Sequence, residues 1–163
     1  MHEVSLKLIV YGTSVMKKIS ILLLAFCLTI WTAPCFGQQT YGNIEGAIYV
    51  RNYDGDTITV DLPGVHPLFG NNISVRLAGI DTPEKNGKCE REKLLAKEVK
   101  NVVAAALAGA RKIVLADVAR DKYFRINARV LADDVDIDAM LIERGLAVSY
   151  DGGTKTHNWC MPK

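Results

Sequence analysis

Two stretches of the chain have the spacing of apolar residues that is typical of amphipathic helices. From Glu90 to Ala108, apolar residues recur three and four positions apart, and Gly109 follows as a helix stop. We expect the inward face of this helix to be formed by Leu95, Val99, Val102, Val103 and Ala106. A shorter stretch, from Asp136 to Arg144, has the same spacing and ends before Gly145. Its expected inward residues are Ile137, Met140 and Leu141.

Five shorter segments, rich in β-branched residues or in alternating apolar and polar positions, predict β-strands. They are Ala47–Val50, Asp56–Val60, Asn72–Gly79, Lys112–Val118 and Arg125–Ala132. Asp54 and Gly55 make the turn between the first two strands, and a loop rich in Pro, Gly and Asn spans residues 62–71. The order βββ-α-ββ-α predicts a fold that is mainly β with helices (α+β). It suits a five-stranded OB-fold Greek-key barrel with two helices.

The N-terminal 37 residues have a different pattern. Met16–Lys18 supplies positive charge ahead of an uncharged, mostly apolar run from Ile19 to Trp31, and the small residues Cys35 and Gly37 follow. These are the parts of a secretory signal peptide, so we expect cleavage near Gly37 and a secreted or periplasmic protein. A membrane anchor is the alternative, but the apolar run is shorter than the ~20 residues that a spanning helix needs. The residues before Met16 are not needed for this signal.

Cleavage after Gly37 leaves 126 residues, 38–163, which is one domain with room for its own core. This domain carries 17 Lys and Arg against 17 Asp and Glu, so the net charge of +2 comes from the targeting segment. Nucleic acid would therefore be bound by locally placed basic groups and not by a general basic field. Two cysteines remain, Cys89 and Cys160, and in an exported domain they most simply form one disulfide.

Several kinds of chemistry lack their motifs in this chain. It has no HExxH or other zinc spacing, no Gly-x-Ser-x-Gly elbow, and no Walker or dinucleotide glycine pattern. Asp54-Gly-Asp56 is similar to the start of a calcium loop, but an EF-hand would need glutamate where Val65 stands. A plain hairpin accounts for Asp54 and leaves Asp56, inside a strand, unexplained. The remaining signal is a set of carboxylates and arginines at strand ends.

The densest of these segments is Arg76-Leu-Ala-Gly-Ile-Asp-Thr-Pro-Glu84. Together with Asp56-Thr57 and Asp121-Lys-Tyr-Phe-Arg125, it resembles the three active-site segments of the staphylococcal nuclease (thermonuclease-like) family, in the family's order and spacing. The resemblance covers roughly residues 46–150. Each motif is weak alone, whereas the three together on a matching order of strands and helices are highly specific. The resemblance implies an exported, Ca²⁺-dependent nuclease that hydrolyses DNA and RNA with little sequence preference and leaves 3′-phosphates.

The resemblance also implies a role for each residue. Asp56, Asp81 and the Thr82 carbonyl would bind Ca²⁺, a hard cation that prefers oxygen ligands, and Glu84 would orient or deprotonate the attacking water. The residues implied to bind the scissile phosphate are Arg76 and Arg125, and those implied to touch a substrate phosphate and base are Lys122 and Tyr123. The implied partners are DNA and RNA substrates alone. Neither a stable protein partner nor a membrane beyond the signal peptide is implied, and we expect a monomer.

Each assignment has a plainer alternative. Asp81 could cap a turn and Arg76 could be a solvated strand residue. Glu84 could be a carboxylate at a helix start, and Arg125 could simply pair with Asp121. At the level of the whole protein, the alternative is a non-catalytic OB-fold module that binds single strands. Such a module could dispense with Glu84 and either arginine. A structural calcium-binding domain would explain the aspartates but neither arginine.

The chain departs from the family prototype in three places. Phe124 stands where the prototype has glycine, and a bulky side chain there could re-aim Arg125 or narrow the base pocket. The prototype's later aromatic base-binding position falls on Asp151, with Tyr150 adjacent. The prototype's last helix is also missing. We expect residues 151–160 to form an irregular tail, held by the disulfide.

Overall fold

The structure is a computed structural model that describes residues 39–121 and 123–161; the predicted signal peptide lies outside the described residues. Within this part of the chain the strands are β1 (Ile44–Glu45), β2 (Ile48–Asn52), β3 (Thr57–Asp61), β4 (Ile73–Leu77), β5 (Ile80–Asp81), β6 (Ile113–Arg120), β7 (Ile126–Ala132), β8 (Val135–Asp136) and β9 (Val148–Ser149). The helices are α1 (Pro67–Gly70), α2 (Glu90–Ala108) and α3 (Ile137–Glu143).

The main sheet turns back on itself because its two edge strands follow each other in the chain. The strand order is β1-β6-β7-β4-β3-β2, and every pair along it is antiparallel except the parallel pair β4–β7. Between β1 and β2 the chain bends at Gly46. Its φ is 72°, a backbone conformation that glycine adopts without strain. Gly46 and Ala47 both donate N–H bonds to the Ile113 carbonyl on β6. The OB-like α+β class predicted from the sequence is confirmed.

The core lies between this curved sheet and two helices. Its fully buried side chains include Ile58 and Val60 of β3, Val75 and Leu77 of β4, Val130 of β7, Val99, Val103 and Leu107 of α2, and Ile137 and Leu141 of α3. Burial of each such side chain stabilises the fold by about 1.5–3 kcal/mol. Along β4, Ser74 and Arg76 alternate with Val75 and Leu77 and point away from the core.

Helix α2 has the predicted bounds, but the face that it buries is rotated about the helix axis relative to the predicted face. Val99 and Val103 are buried as expected, whereas Leu95, Val102 and Ala106 are only partly buried at the margin of the core. The fully covered stripe also contains Glu92, Ala96 and Leu107. Apolar spacing alone did not show which side of the helix the sheet would cover. No helix among the described residues is long and apolar enough to cross a membrane.

The prediction of five strands and two helices was too simple. The five predicted strands correspond to β2, β3, β4, β6 and β7, with ends shifted by at most two residues. The four additional strands are two residues long, and such pairings arise from tertiary contacts that no sequence pattern signals. The predicted 62–71 loop contains the one-turn helix α1. There Pro67 occupies the first turn and His66 Nδ1 accepts the Leu68 N–H at 3.2 Å.

The C-terminal tail follows β9 without further strand or helix up to residue 161, as expected. Cys89 and Cys160, which the sequence analysis paired, are joined by a disulfide across a separation of 71 residues. Beside the disulfide, Trp159 is buried, and its ring meets His157 edge-on at 4.3 Å between centroids. The tail is therefore attached to the start of α2.

Candidate active site

The register between β3 and β4 brings Asp56 and Arg76 together. Thr57 lies opposite Arg76, and the Leu77 N–H donates to the Asp56 carbonyl at 2.8 Å. Arg76 Nη1 then lies 2.6 Å from Asp56 Oδ2, with both side chains largely buried, and Nη2 donates to the Ile80 carbonyl at 3.1 Å. Burial alone would lower the pKa of Arg76, but the charge and hydrogen bond of Asp56, together with the charges of Asp81 and Asp54, outweigh it and raise the pKa. This guanidinium stays charged and fixed.

A glycine lets the hairpin that carries Asp56 approach Thr82. A Cβ built on Gly55 would lie 2.6 Å from Val99 Cγ1 and 2.8 Å from Thr82 Oγ1, so no larger residue fits without movement. In the same hairpin, Asp54 Oδ1 accepts the Asp56 N–H at 3.2 Å. Burial, followed by repulsion from Asp56, raises the pKa of Asp54. The hairpin thus holds two carboxylates next to a buried segment implied to bind metal.

Asp81 and Thr82 lie deeper than a turn-capping role requires. They are 3% and 2% exposed, because β5 pairs with β9 and Asp81 lies opposite Val148. Asp81 Oδ1 has no well-directed hydrogen bond within the described residues, although the Lys155 ammonium is 2.6 Å from it. A buried carboxylate oxygen with an unused lone pair fits a metal ligand. The donor set of Asp56, Asp81 and the Thr82 carbonyl is all oxygen, as Ca²⁺ prefers.

The loop that carries Glu84 is fixed by hydrogen bonds to the side chain of Glu92, a residue that the sequence analysis did not identify. Glu92 is buried, and its carboxylate accepts the Lys88 N–H at 2.8 Å and the Glu84 N–H at 3.4 Å. A side chain on Gly87 would collide with Glu92. The sequence feature that could have identified Glu92 is its place in the first turn of a predicted helix, directly after a loop that contains a glycine. Glu92 lies close to the sulfurs of Cys89 and Cys160, but the disulfide leaves neither as a thiolate ligand.

Arg125 is placed by a tight hairpin between β6 and β7. Asp121 Oδ2 accepts Arg125 Nε at 2.7 Å, and the Arg125 guanidinium carbon lies 5.5 Å from the centre of the Tyr123 ring. Phe124, at φ 61°, directs its 80%-exposed side chain to solvent and does not line the cleft described below. It therefore neither narrows that cleft nor removes Arg125 from it. Lys122 lies outside the described residues.

One cleft of about 690 Å³ collects most of the candidate residues. Its lining includes Asp56, Arg76, Glu84, Tyr123 and Arg125, together with Asp54, Asp121, Tyr150, Asp151 and Lys155. The tail therefore contributes one wall, and Tyr150 lies 5.9 Å from the Arg76 guanidinium carbon. Asp81 lines a neighbouring cavity of about 610 Å³ that shares Tyr150, Asp151 and Lys155 with the cleft. Thr82 is buried and lines neither of them.

Lys155, which no sequence motif indicated, completes the charge pattern. Its Nζ lies 2.6 Å from Asp81 Oδ1 and 2.5 Å from Glu84 Oε1. Burial would lower the pKa of Lys155, but its close contacts with Asp81 and Glu84 and their negative charges together outweigh it and raise the pKa. The site thus combines the carboxylates Asp56, Asp81 and Glu84 with the cations Arg76, Arg125 and Lys155. Such an arrangement can bind a hard cation, a phosphate and a water molecule beside a carboxylate base.

The family model described as staphylococcal nuclease homologue matches residues 74–161, which is more than half of the chain. The match contains Arg76, Asp81, Glu84 and Arg125 and continues through the tail with Lys155. A search of curated proteins found no match.

Proposed function

The chain belongs to the staphylococcal nuclease family, whose domains cleave or bind nucleic acid, and we propose that it is a calcium-dependent nuclease. In this proposal it hydrolyses phosphodiester bonds of DNA and RNA with little sequence preference and leaves 3′-phosphates. The observation that carries the proposal is that one cleft contains Asp56, Glu84 and both guanidinium groups, Arg76 and Arg125.

The two arginines are suited to hold a phosphate as negative charge builds on it. Arg76 uses two of its five N–H donors on Asp56 and the Ile80 carbonyl. Arg125 donates its Nε–H to Asp121, and this contact fixes the orientation of the guanidinium group. The two Nη groups are the part of the guanidinium that would bind a phosphate. Positioned donors of this kind stabilise a transition state more than a ground state.

Glu84 is the carboxylate suited to water activation. Its side chain is 53% exposed at the cleft, unlike the buried Asp56 and Asp81, so a water molecule can reach it. Asp56, Asp81 and the Thr82 carbonyl would hold the calcium ion. When bound, the ion would supply positive charge next to the phosphate and a fixed place for an oxygen ligand. Glu84 would accept the proton of the attacking water.

The rival interpretation is an OB-fold module that binds single strands without cleaving them. A pure binding site gains nothing from an accessible carboxylate beside its phosphate, because the two negative charges repel. The position of Glu84 in the same cleft as Arg76 and Arg125 therefore favours the enzyme.

Activity assays on the purified protein test this proposal. Single- and double-stranded DNA and RNA should be degraded in Ca²⁺ and left intact in excess chelator. Asp56→Ala should abolish activity at low Ca²⁺ with an unchanged circular dichroism spectrum. Glu84→Gln should lower turnover, whereas the matched change Glu98→Gln, on the exposed face of α2, should not. If the protein binds oligonucleotides but cleaves them at no Ca²⁺ concentration, it is the non-catalytic binding module instead.

We propose further that the protein acts outside the cytoplasm, as a monomer and without a protein partner. The basic, apolar and small-residue pattern of residues 1–37 supports export. Mass spectrometry of protein recovered from the periplasm or the medium should find a mature N-terminus near Gln38. A chain that retains residues 1–37 there would contradict this expectation.

A further inference from the structure

Lys155 contacts both a predicted metal ligand and the predicted base. Its ammonium lies 2.6 Å from Asp81 Oδ1 and 2.5 Å from Glu84 Oε1. Asp81 is buried, and a buried carboxylate without a nearby positive charge is costly. Lys155 supplies such a charge.

Lys155 also lines both of the cavities that hold the two carboxylates a metal ion would share. Asp56 lines the larger cleft, Asp81 lines the neighbouring cavity, and Lys155 lines both. A divalent ion bound to Asp81 would stand within a few ångströms of the ammonium, where the two positive charges repel strongly. Ion and ammonium therefore compete for the same carboxylate.

We propose that the Lys155 ammonium is the built-in counter-cation of the metal-free site, and that a divalent ion must displace it from Asp81 in order to bind. This inference rests on the proposed function, since it takes Asp81 as a metal ligand. Lys155 then sets the metal affinity of the site, and metal binding moves the tail segment that carries it.

The tail segment that carries Lys155 can move without disrupting regular secondary structure. Residues 150–158 belong to no strand or helix, so moving Lys155 breaks no regular backbone ladder. Five residues further on, Cys160 is joined to Cys89, which keeps the segment near the site after the ammonium leaves. Lys155 itself has a side chain that is 40% exposed, with space to swing outward.

Calorimetric titration of Ca²⁺ into the purified protein, without substrate, tests the competition. Lys155→Gln removes the ammonium and should tighten the dissociation constant by about two- to fivefold, the range expected for losing one partly exposed ion pair. Lys155→Arg keeps a cation and should stay near the wild-type value. The matched control is Lys112→Gln, because Lys112 pairs with Glu45 at 3.0 Å outside both cavities. It should leave the affinity unchanged.

Two further measurements do not depend on calorimetry. In chelator, Lys155→Gln should melt at a lower temperature than wild type, because Asp81 and Glu84 lose their counter-charge. In excess Ca²⁺ the difference should vanish. In the wild type, Ca²⁺ should speed trypsin cleavage after Lys155 relative to cleavage after Lys112.

The possible failures are distinguishable. Equal or weaker Ca²⁺ affinity in Lys155→Gln, with clear binding to wild type, would overturn the competition and leave the proposed nuclease standing. Absence of Ca²⁺ binding to wild type and to every variant would overturn the metal site itself, and this inference with it.

Discussion

Asp121 binds Arg125 through both of its carboxylate oxygens, Oδ2 to the guanidinium Nε at 2.7 Å and Oδ1 to the backbone N–H at 3.0 Å. Oδ1 also accepts the Tyr123 N–H at 2.8 Å. Burial would raise the pKa of Asp121, but the hydrogen bonds from Arg125 and Tyr123 outweigh it and lower the pKa. The ion pair that the sequence offered as an alternative to a phosphate-binding role thus exists, and it orients Arg125 at the cleft.

Arg125→Lys should keep the fold and bind oligonucleotide within several-fold of wild type, yet lose at least about 10² in turnover. A lysine point charge does not reproduce the two-pronged hydrogen bonding of a guanidinium. Single-turnover rates and equilibrium binding separate the two effects. Arg129→Lys is the matched control, since Arg129 also pairs with two aspartates, Asp117 and Asp136, but lies outside the cleft. Near-normal turnover in Arg125→Lys would show that this arginine takes no part in the chemistry.

Phe124→Gly should stabilise the protein by about 0.5–1 kcal/mol, because a φ of 61° strains any side chain but suits glycine. Little burial is lost, since the ring is 80% exposed. Urea denaturation measures the change. Phe69→Gly removes another exposed phenylalanine, at a backbone position inside α1, and should destabilise instead. A Phe124→Gly protein less stable than wild type would mean that the ring makes a contact that stabilises the fold.

Loss of the disulfide should lower the free energy of unfolding by about 4 kcal/mol, on the chain-entropy model for a loop of this length. The bridge spans 71 residues and attaches the tail that carries Lys155 and the buried Trp159. Denaturation of Cys160→Ser beside wild type, with and without reductant, measures the loss. Alkylation followed by intact-mass analysis of exported protein should find no free thiol. Two freely alkylated cysteines in that sample would contradict the pairing.

Asp138→Asn should stabilise the protein at pH 8 by at least about 1.4 kcal/mol, the equivalent of one pKa unit. Burial, helped by the charge of Asp136, raises the pKa of Asp138 from 3.8 to about 8, and neither of its oxygens has a well-directed hydrogen bond within the described residues.

Folding therefore takes up a proton at Asp138, and stability is lost as the pH rises from the unfolded pKa toward the folded one. Asparagine is neutral at every pH, so its advantage should shrink toward zero near the unfolded pKa, where Asp138 is protonated in both states. Unfolding free energies of both proteins across this range test the effect. Parallel curves would show that Asp138 ionises in the fold without cost.

Most of the fold could be predicted because its elements have local signals. Helix α2 begins and ends where its spacing and Gly109 indicated. The parallel pairing of β4 with β7 could not be predicted from either strand, because it depends on how the sheet curves. The buried position of Glu92 shows the same limit. Its helix was predicted, but the side of that helix facing the loop of Glu84 was not.

The sequence by itself determined the segment Arg76–Glu84 and the residue types that nuclease chemistry needs, because those residues are neighbours in the chain and follow a recognisable motif. Only the tertiary structure decided that Lys155, 71 residues after Glu84, would reach the same carboxylates. A lysine in an irregular tail has no periodicity and no partner nearby in sequence. Its place follows from the path of the chain after β9 and from the disulfide that holds Cys160 to Cys89, and both are set by long-range packing.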